Sequence, residues 1–323
     1  MTQAPKKTPL RVAFQMDPME TVDIDGDTSF ALAEIAQQRG YEIFTYGPAD
    51  LSYNEGAITA RARPTNVQRV ADCPAVFGAP VTLNLESDID VVWMRQDPPF
   101  DMAYITAAHM LERLKGKTFV ANDPQWVRSC PEKILPLDYP HLMPATLISR
   151  DMDAISAFRA KHKDIILKPL FGNGGAGVFR VKQDDPNYSS LMEMFLERSR
   201  EPIIAQAYLK AVVKGDKRII IIDGVAVGAI NRVPQKGETR SNMHVGGTAV
   251  PTGLTETDMV ICDAIGPMLR ERGQILVGID VIGDKMTEIN ITSPTGVQEL
   301  KRFSGIDAAA LSWDAIERRL AED

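Results

Sequence analysis

Cysteine and histidine are scarce in this chain, with three and four copies among 323 residues. Cys73, Cys130 and Cys262 are odd in number and far apart, which excludes a disulfide framework and a cysteine-based zinc site. Four scattered histidines also disfavour a histidine metal site. The thiols fit a reducing compartment, so we expect a cytoplasmic protein.

Long apolar runs and a surplus of basic charge are also missing. No run approaches the length that spans a membrane, and the N-terminus lacks the apolar core of a signal peptide. The 36 basic and 43 acidic residues give a formal charge of −7, which leaves no excess charge to neutralise a nucleic-acid backbone. We therefore expect neither a membrane nor a nucleic acid as partner.

The first third of the chain alternates between strand and helix patterns. Such alternation predicts an α/β fold with a parallel sheet, whose ligands bind at the carboxyl ends of the strands. The loops after two predicted strands, at Asp17-Pro18 and Arg95–Asp101, occupy that position. The predicted strands are 10–16, 41–46, 89–94 and 118–120, and the predicted helices are 28–39 and 104–114.

A glycine-rich hairpin at 165–181 is the most informative motif. Lys168 ends an apolar strand, and the glycine loop (residues 172–177) has four glycines in six positions, Gly172, Gly174, Gly175 and Gly177. Backbone N–H groups of such a loop can turn toward an anion, and the lysine can reach the same anion. A dinucleotide fingerprint requires a following helix, whereas residues 178–181 have a strand pattern. The motif predicts a nucleoside triphosphate site; a flexible surface hairpin is the alternative.

A second hairpin, at 277–292, carries acidic and amide side chains. Glu288 and Asn290 share one strand face, and a three-residue turn at 283–285 would place Asp280 opposite Glu288. Two neighbouring carboxylates need a cation between them, and this oxygen set suits Mg²⁺ that bridges phosphates. A solvated acidic hairpin face is the alternative.

A long polar loop, 231–247, separates these hairpins and has the composition of a mobile active-site lid. With Arg218 it offers three guanidinium groups, Arg218, Arg232 and Arg240, which suit carboxylate or phosphate contacts. An ordinary surface loop would also fit this composition. No Ser/His or Cys/His pattern for a protein nucleophile is present.

Along the chain, the glycine hairpin, the polar loop and the acidic hairpin follow one another, and this arrangement resembles the ATP-grasp ligases and, more closely, the bacterial glutathione synthetases. The resemblance runs from Met16 to the C-terminus. It implies an N-terminal α/β substrate-binding domain (1–125) and a two-part ATP-grasp domain, with a lid subdomain (126–206) and a C-terminal metal-binding subdomain (207–323). The motifs that carry it are residues 16–18, 95–101, 165–170, 237–240 and 287–295.

The resemblance also implies roles for individual residues. Lys133 and Lys168 would contact ATP phosphates beneath the glycine loop, and Asp216 would contact the ribose. The adenine-binding hinge would be Gln206, Ala207, Tyr208 and Leu209. The magnesium ligands would be Asp280, Glu288 and Asn290. Arginines at the phosphate and acyl-acceptor end would be Arg218, Arg232 and Arg240. The dipeptide would lie near Asp17, Arg95, Asp97, Ser293, Pro294 and Thr295.

The implied reaction joins γ-glutamylcysteine to glycine with ATP, through an acyl phosphate, with Mg²⁺ or alternatively Mn²⁺ and in a homotetramer. Three positions differ from the family pattern: Phe171 at the start of the glycine loop, Thr248 after a Gly-Gly pair and Gly296 after Ser-Pro-Thr. Two other functions compete with this one. The first is an ATP-grasp ligase with a different peptide specificity, and the second is a nucleotide-binding module without turnover.

Overall fold

The computed structural model describes residues 9–235, 240–241 and 246–322, arranged as three sheets with helices packed against them. The strands are β1 (Arg11–Gln15), β2 (Glu42–Tyr46), β3 (Leu51–Asn54), β4 (Ala57–Val67), β5 (Ala75–Phe77), β6 (Val81–Asn84), β7 (Val91–Met94), β8 (Phe119–Ala121), β9 (Thr146–Ser149), β10 (Asp164–Pro169), β11 (Phe179–Lys182), β12 (Ile203–Ala207), β13 (Asp216–Ile222), β14 (Val225–Val233), β15 (Thr248–Thr252), β16 (Leu276–Ile282) and β17 (Lys285–Asn290). The α-helices are α1 (Thr28–Gln38), α2 (Met102–Glu112), α3 (Pro124–Ser129), α4 (Met152–His162), α5 (Tyr188–Arg198), α6 (Glu256–Glu271), α7 (Val297–Ser304) and α8 (Ala308–Glu322).

The first sheet has a parallel centre, as the strand–helix alternation predicts. Strands β2, β1, β7 and β8 pair in parallel in that spatial order. The sequence analysis did not predict β3 to β6, which extend this sheet through antiparallel pairs with β4. Strand β4 has 11 residues and a mixed burial pattern, so it lacks the continuous apolar run of a central parallel strand. The N-terminal sheet is therefore mixed, although its site-forming part is parallel.

The second sheet contains the predicted glycine hairpin. Its order is β11-β10-β12-β9, and its pairs are antiparallel. Ile165 pairs with Val181 and Leu167 with Phe179, so the chain reverses through the glycine loop as predicted. Helices α4 and α5 cover one face with a separate small core around Ile155, Leu167 and Met192.

The third sheet holds the acidic hairpin at one edge. Its order is β15-β14-β13-β16-β17, and its pairs are antiparallel. Alternate residues of β13 and β16, such as Ile219, Ile221 and Ile279, are buried beneath α6. The neighbouring positions Arg218 and Asp280 therefore face the opposite side, where the site lies.

Helix α8 joins the first and third sheets. The Trp313 indole is fully buried, donates to the carbonyl of Leu32 (2.8 Å) and packs edge-on against Trp93 (5.8 Å between ring centroids). At its other end, Arg319 donates to the carboxylate of Asp223 beside β13 (3.0 Å from Nε). One helix thus fixes the strand that precedes Arg95 relative to the third sheet.

Predicted element boundaries differ from the structure by one or two residues, as at α1, which ends at Gln38 with Gly40 in a left-handed conformation after it (φ 77°). Among the described residues, no helix combines the length and the apolar character needed to cross a bilayer.

Candidate active site

A cleft between the second and third sheets collects most of the predicted site residues. Its walls are the glycine loop on one side and the strands β13, β14, β16 and β17 on the other. The predicted residues that line it are Lys133, Lys168, Gly172, Gly174, Gly175, Gln206, Ala207, Tyr208, Leu209, Asp216, Arg218, Arg232, Arg240, Asp280, Glu288 and Asn290. Gly177 lies just beyond this lining, at the end of the glycine loop. Residues 237–239 of the fourth motif lie outside the described part of the chain.

The acidic hairpin pairs Asp280 with Glu288, as predicted, but through a different turn. Ile282 pairs with Lys285, so the turn has two residues rather than three, and an irregularity after Asp280 shifts the register by one. The turn is one residue shorter than predicted, and the bulge adds one unpaired residue to β17. The two differences cancel, so Asp280 still lies opposite Glu288. Gly278 pairs with Asn290, whose amide nitrogen donates to the Gly278 carbonyl (3.0 Å).

Two arginines hold the carboxylate of Asp280. Arg218 contacts it through Nε (2.6 Å) and Nη2 (3.2 Å), and Arg232 approaches through Nη2 (2.9 Å). All three side chains are buried. Burial by itself raises the pKa of Asp280, but the two guanidinium charges outweigh it and hold the pKa well below its usual range. The two arginines therefore favour the ionised form of Asp280.

Two lysines flank Glu288 in the same way. Its Oε1 lies 3.2 Å from Lys168 Nζ and 3.6 Å from Lys133 Nζ, and both ammonium groups are buried. Although burial opposes ionisation, the lysine charges lower the pKa of Glu288, and Glu288 in turn raises the pKa of Lys133. Each phosphate-binding candidate is thus neutralised by a metal-binding candidate in this structure.

The pKa of Asp216 is shifted upward, in contrast to the lowered pKa values of Asp280 and Glu288. Arg232 donates to its Oδ2 (2.6 Å) and Ser241 does so from its hydroxyl (3.0 Å), while its Oδ1 is buried without a hydrogen-bond partner among the described residues. Burial raises the pKa of Asp216 to about 6, against the lowering effect of Arg232 and with help from the charge of Asp280. Asp216 therefore ionises closer to neutral pH than an ordinary aspartate does.

We expect Asp216→Asn to change how stability depends on pH. The pKa of Asp216 is higher in the folded protein than in an unfolded chain, so protonation of Asp216 stabilises the fold. This stabilisation is fully present below about pH 4 and is lost as the pH rises through about 6. Relative to Asp216→Asn, the wild type should lose about 1–3 kcal/mol of unfolding free energy between pH 4 and pH 7. Urea denaturation at four pH values measures this difference; parallel profiles would contradict it.

Backbone geometry shapes the rest of the cleft. Gly174, Gly175 and Gly177 have positive φ angles of 62°, 79° and 70°, which favour glycine, and Lys133 Nζ donates to the Gly172 carbonyl (2.5 Å). At the hinge, Gln206 donates to the Thr146 hydroxyl (2.9 Å), and Arg180 stacks on the Tyr208 ring (3.8 Å). These contacts fix the glycine loop at one end of the cleft and the hinge at the other.

The predicted substrate residues form a second cluster where the first and third sheets meet. Arg95 donates to the Ser29 hydroxyl (3.0 Å) and the Pro294 carbonyl (3.3 Å), and Asp17 accepts from the backbone N–H of Asp97 (2.8 Å). Ser293 donates to the Gln96 carbonyl (2.9 Å). The cluster adjoins the cleft, because Arg218 donates to the Thr295 carbonyl (3.2 Å).

Burial lowers the pKa of Arg95, although Asp27 and Asp97 counteract it. Arg95 is 5% exposed, and its guanidinium donates to two uncharged acceptors, the Ser29 hydroxyl and the Pro294 carbonyl. A buried cation bonded to neutral groups is well suited to bind a substrate carboxylate.

Sequence reasoning did not identify Glu132 and Ser241, which also line the cleft. Glu132 accepts a hydrogen bond from the Thr292 hydroxyl, and burial raises its pKa. A Glu-Lys pair in sequence is typical of an exposed helix surface, so nothing local signals that both residues are turned inward.

Comparison with known proteins decides the family. The model of the prokaryotic glutathione synthetase N-terminal domain matches residues 10–128, and that of the prokaryotic glutathione synthetase ATP-grasp domain matches residues 132–305. The chain belongs to the prokaryotic glutathione synthetase family. Membership makes it an ATP-dependent peptide ligase and confirms the resemblance drawn from the sequence.

Relatives within the family align over nearly the whole chain. Glutathione synthetase of Brucella melitensis is 56% identical over 96% of this chain and 99% of its own length. That of Mesorhizobium japonicum is 57% identical over 95% and 98%, respectively, and that of Yersinia pestis is 45% identical over 97% and 99%.

Solved structures confirm the ATP-grasp fold. D-cycloserine synthetase superposes with a TM-score of 0.66 at 17% identity, covering 96% of this chain and 99% of that one. A RimK domain ATP-grasp protein from Sphaerobacter thermophilus has a TM-score of 0.63 at 17% identity, covering 94% and 98%. At this identity, the likeness extends to the fold alone.

Proposed function

We propose that this family member ligates glycine to γ-glutamylcysteine with ATP and releases glutathione, ADP and phosphate. The observation that carries the proposal is the cleft in which four buried cations face two ionised carboxylates, next to a buried arginine with uncharged acceptors. The first group suits a triphosphate, and Arg95 suits the carboxylate-bearing peptide. Full-length relatives named glutathione synthetase support this substrate choice.

Each group has a place in the reaction. A carboxylate is a poor electrophile, so ATP first phosphorylates the cysteinyl carboxylate to an acyl phosphate. Lys133, Lys168 and the arginines of β13 and β14 stabilise the charge of the transferring phosphoryl group. The glycine amine then attacks the acyl carbon, and phosphate leaves. The glycine loop closes over the nucleotide, while Gln206–Leu209 hold the adenine and Asp216 the ribose.

The oxygen ligands fit Mg²⁺. Asp280, Glu288 and Asn290 all line the cleft, and Mg²⁺ needs few protein ligands when phosphates supply others. Among the described residues, no group of three or more His, Cys, Asp and Glu side chains forms a self-sufficient metal site, which agrees with a metal shared with the nucleotide. When bound, the metal supplies charge neutralisation for phosphoryl transfer. Mn²⁺ has similar ligand preferences.

We also propose a cytoplasmic homotetramer with the three segments 1–125, 126–206 and 207–323 as its structural units. The separate sheets support this division, with the last boundary falling near the end of β12. The reduced thiols support the compartment, and all three cysteines are free. Light scattering of the purified protein would measure the oligomer.

The decisive experiment supplies purified protein with ATP, Mg²⁺, γ-glutamylcysteine and glycine. We expect one phosphate per tripeptide, because the acyl phosphate commits each ATP to one amide bond. A coupled phosphate assay and chromatography of the product measure both quantities. Phosphate release no greater than with ATP alone would refute the proposal.

Substrate replacement tests the competing specificity. γ-Glutamylalanine keeps the reacting carboxylate, while a peptide with an α-linked glutamate moves the charged end. We expect the α-linked peptide to lose far more kcat/KM, because Arg95 is fixed by Ser29 and Pro294. Equal use of several unrelated peptides would instead favour a ligase of different specificity.

A further inference from the structure

An aromatic contact joins the glycine loop to the first sheet. The rings of Phe171 and Phe100 are stacked with centroids 5.8 Å apart and planes inclined by 29°. Phe171 directly precedes Gly172, and Phe100 belongs to the loop that follows β7. These two residues come from opposite sides of the active site, and both also line a small cavity with Glu132, Lys133 and Thr292.

Phe100 has a firm support in the first sheet. Its ring centroid lies 5.3 Å from that of Tyr104, a residue of α2 that is buried in the core of the first sheet. Asp101 caps this helix by accepting the N–H of Tyr104 (2.9 Å). These contacts hold the Phe100 ring against the protein instead of leaving it free in solvent, so the ring moves together with its loop.

The same short loop carries two of the substrate residues. Arg95 and Asp97 stand five and three positions before Phe100, and Asp97 is linked to Asp17 through its backbone N–H. A shift of this loop on dipeptide binding would therefore move Phe100 as well. The position of the Phe100 ring would thus depend on whether the dipeptide site is occupied.

Phe171 reaches the nucleotide side equally directly. Leu170 before it is buried, and Gly172 after it both lines the cleft and accepts from Lys133. The four-glycine loop has little conformational preference of its own. A contact at Phe171, the residue just before this loop, is thus well placed to determine the position of the loop.

We propose that Phe171, stacked on Phe100, is a positioning residue that couples occupation of the dipeptide cluster to closure of the glycine loop over the nucleotide. This inference rests on the proposed function. It gives Phe171 a specific role beside the glycine loop. Without the contact, the loop closes independently of the dipeptide, and water reaches the acyl phosphate, returning the free carboxylate and phosphate.

The test compares Phe171→Ala with Phe179→Ala. Phe179 is a matched control, since it begins β11 at the other end of the glycine hairpin and its ring packs edge-on against Phe195 of α5, away from Phe100. Two quantities are measured, namely phosphate released per tripeptide formed and the Kd of ADP with Mg²⁺ in the presence and absence of γ-glutamylcysteine. The dipeptide should tighten ADP binding in the wild type by about three- to tenfold, the range for one aromatic pair.

In Phe171→Ala, we expect the dipeptide to change the ADP Kd by less than twofold and the phosphate-to-tripeptide ratio to rise above one. Phe179→Ala and Phe171→Tyr, which keeps the ring, should behave like the wild type. Equal behaviour of Phe171→Ala and Phe179→Ala in both measurements would overturn the coupling role. Failure of the wild type to form tripeptide would instead refute the proposed function itself.

Discussion

Replacing Glu288 with glutamine should reduce turnover by at least about a hundredfold, on the scale of losing a group that stabilises transition-state charge. Glutamine keeps an oxygen that accepts from Lys168 but removes the negative charge. The cleft then has an excess of buried positive charge and one carboxylate fewer for the metal. Initial rates against Mg²⁺ concentration measure the effect, and near-normal activity would mean that the metal site lies elsewhere.

Asp284→Asn is the matched control for this variant. It makes the same chemical change in the turn of the same hairpin, where the side chain is 72% exposed. We expect unchanged turnover, since an exposed charge outside the cleft is screened by solvent. Circular dichroism should show that both variants retain the fold.

Replacing Arg218 with methionine should lower the unfolding free energy by about 3–5 kcal/mol at neutral pH. This change removes the bidentate partner of Asp280 and leaves a buried carboxylate with only Arg232 beside it. It also removes the donor to Thr295, so activity should fall together with stability. Urea denaturation gives the free energy, and a loss below 1 kcal/mol would contradict the buried ion pair.

Acid provides an independent check on the same pair. The pKa of Asp280 is lower in the folded protein than the unfolded value of 3.8, so its stabilising contribution is present above pH 4 and lost as pH falls further. The difference between wild type and Arg218→Met should therefore shrink in strong acid. The double variant Arg218→Met, Asp280→Leu should recover stability, because no unpaired charge remains buried.

The pairing of cations with carboxylates has a consequence for binding. Lys133 and Lys168 contact Glu288, while Arg218 and Arg232 contact Asp280. When ATP and the metal bind, the phosphates take the place of the carboxylates as partners of the four cations, and the metal takes the place of the cations as partner of the two carboxylates. Such an exchange keeps the cleft near electrical neutrality before and after binding.

Local sequence determined the parts of this protein that depend on neighbours in the chain. An apolar run predicted β10, and β-branched and aromatic residues predicted β11. Glycine density predicted the loop between them, and the spacing of Glu288 and Asn290 predicted a shared strand face. The parallel centre of the first sheet followed from strand–helix alternation. These features have a periodicity or a turn chemistry that is visible within about twenty residues.

Tertiary structure alone decided which charges meet. Residues far apart in sequence, such as Lys168 and Glu288 or Arg218 and Asp280, are paired by sheet register and by a bulge whose position no short motif records. Glu132 resembles a surface residue in the sequence, but in the fold it lines the cleft. The stack of Phe100 on Phe171 likewise depends on how the first and second sheets are placed relative to each other. That placement follows from the burial of apolar surface between residues far apart in the chain, whereas the local sequence determines only which face of each strand is apolar.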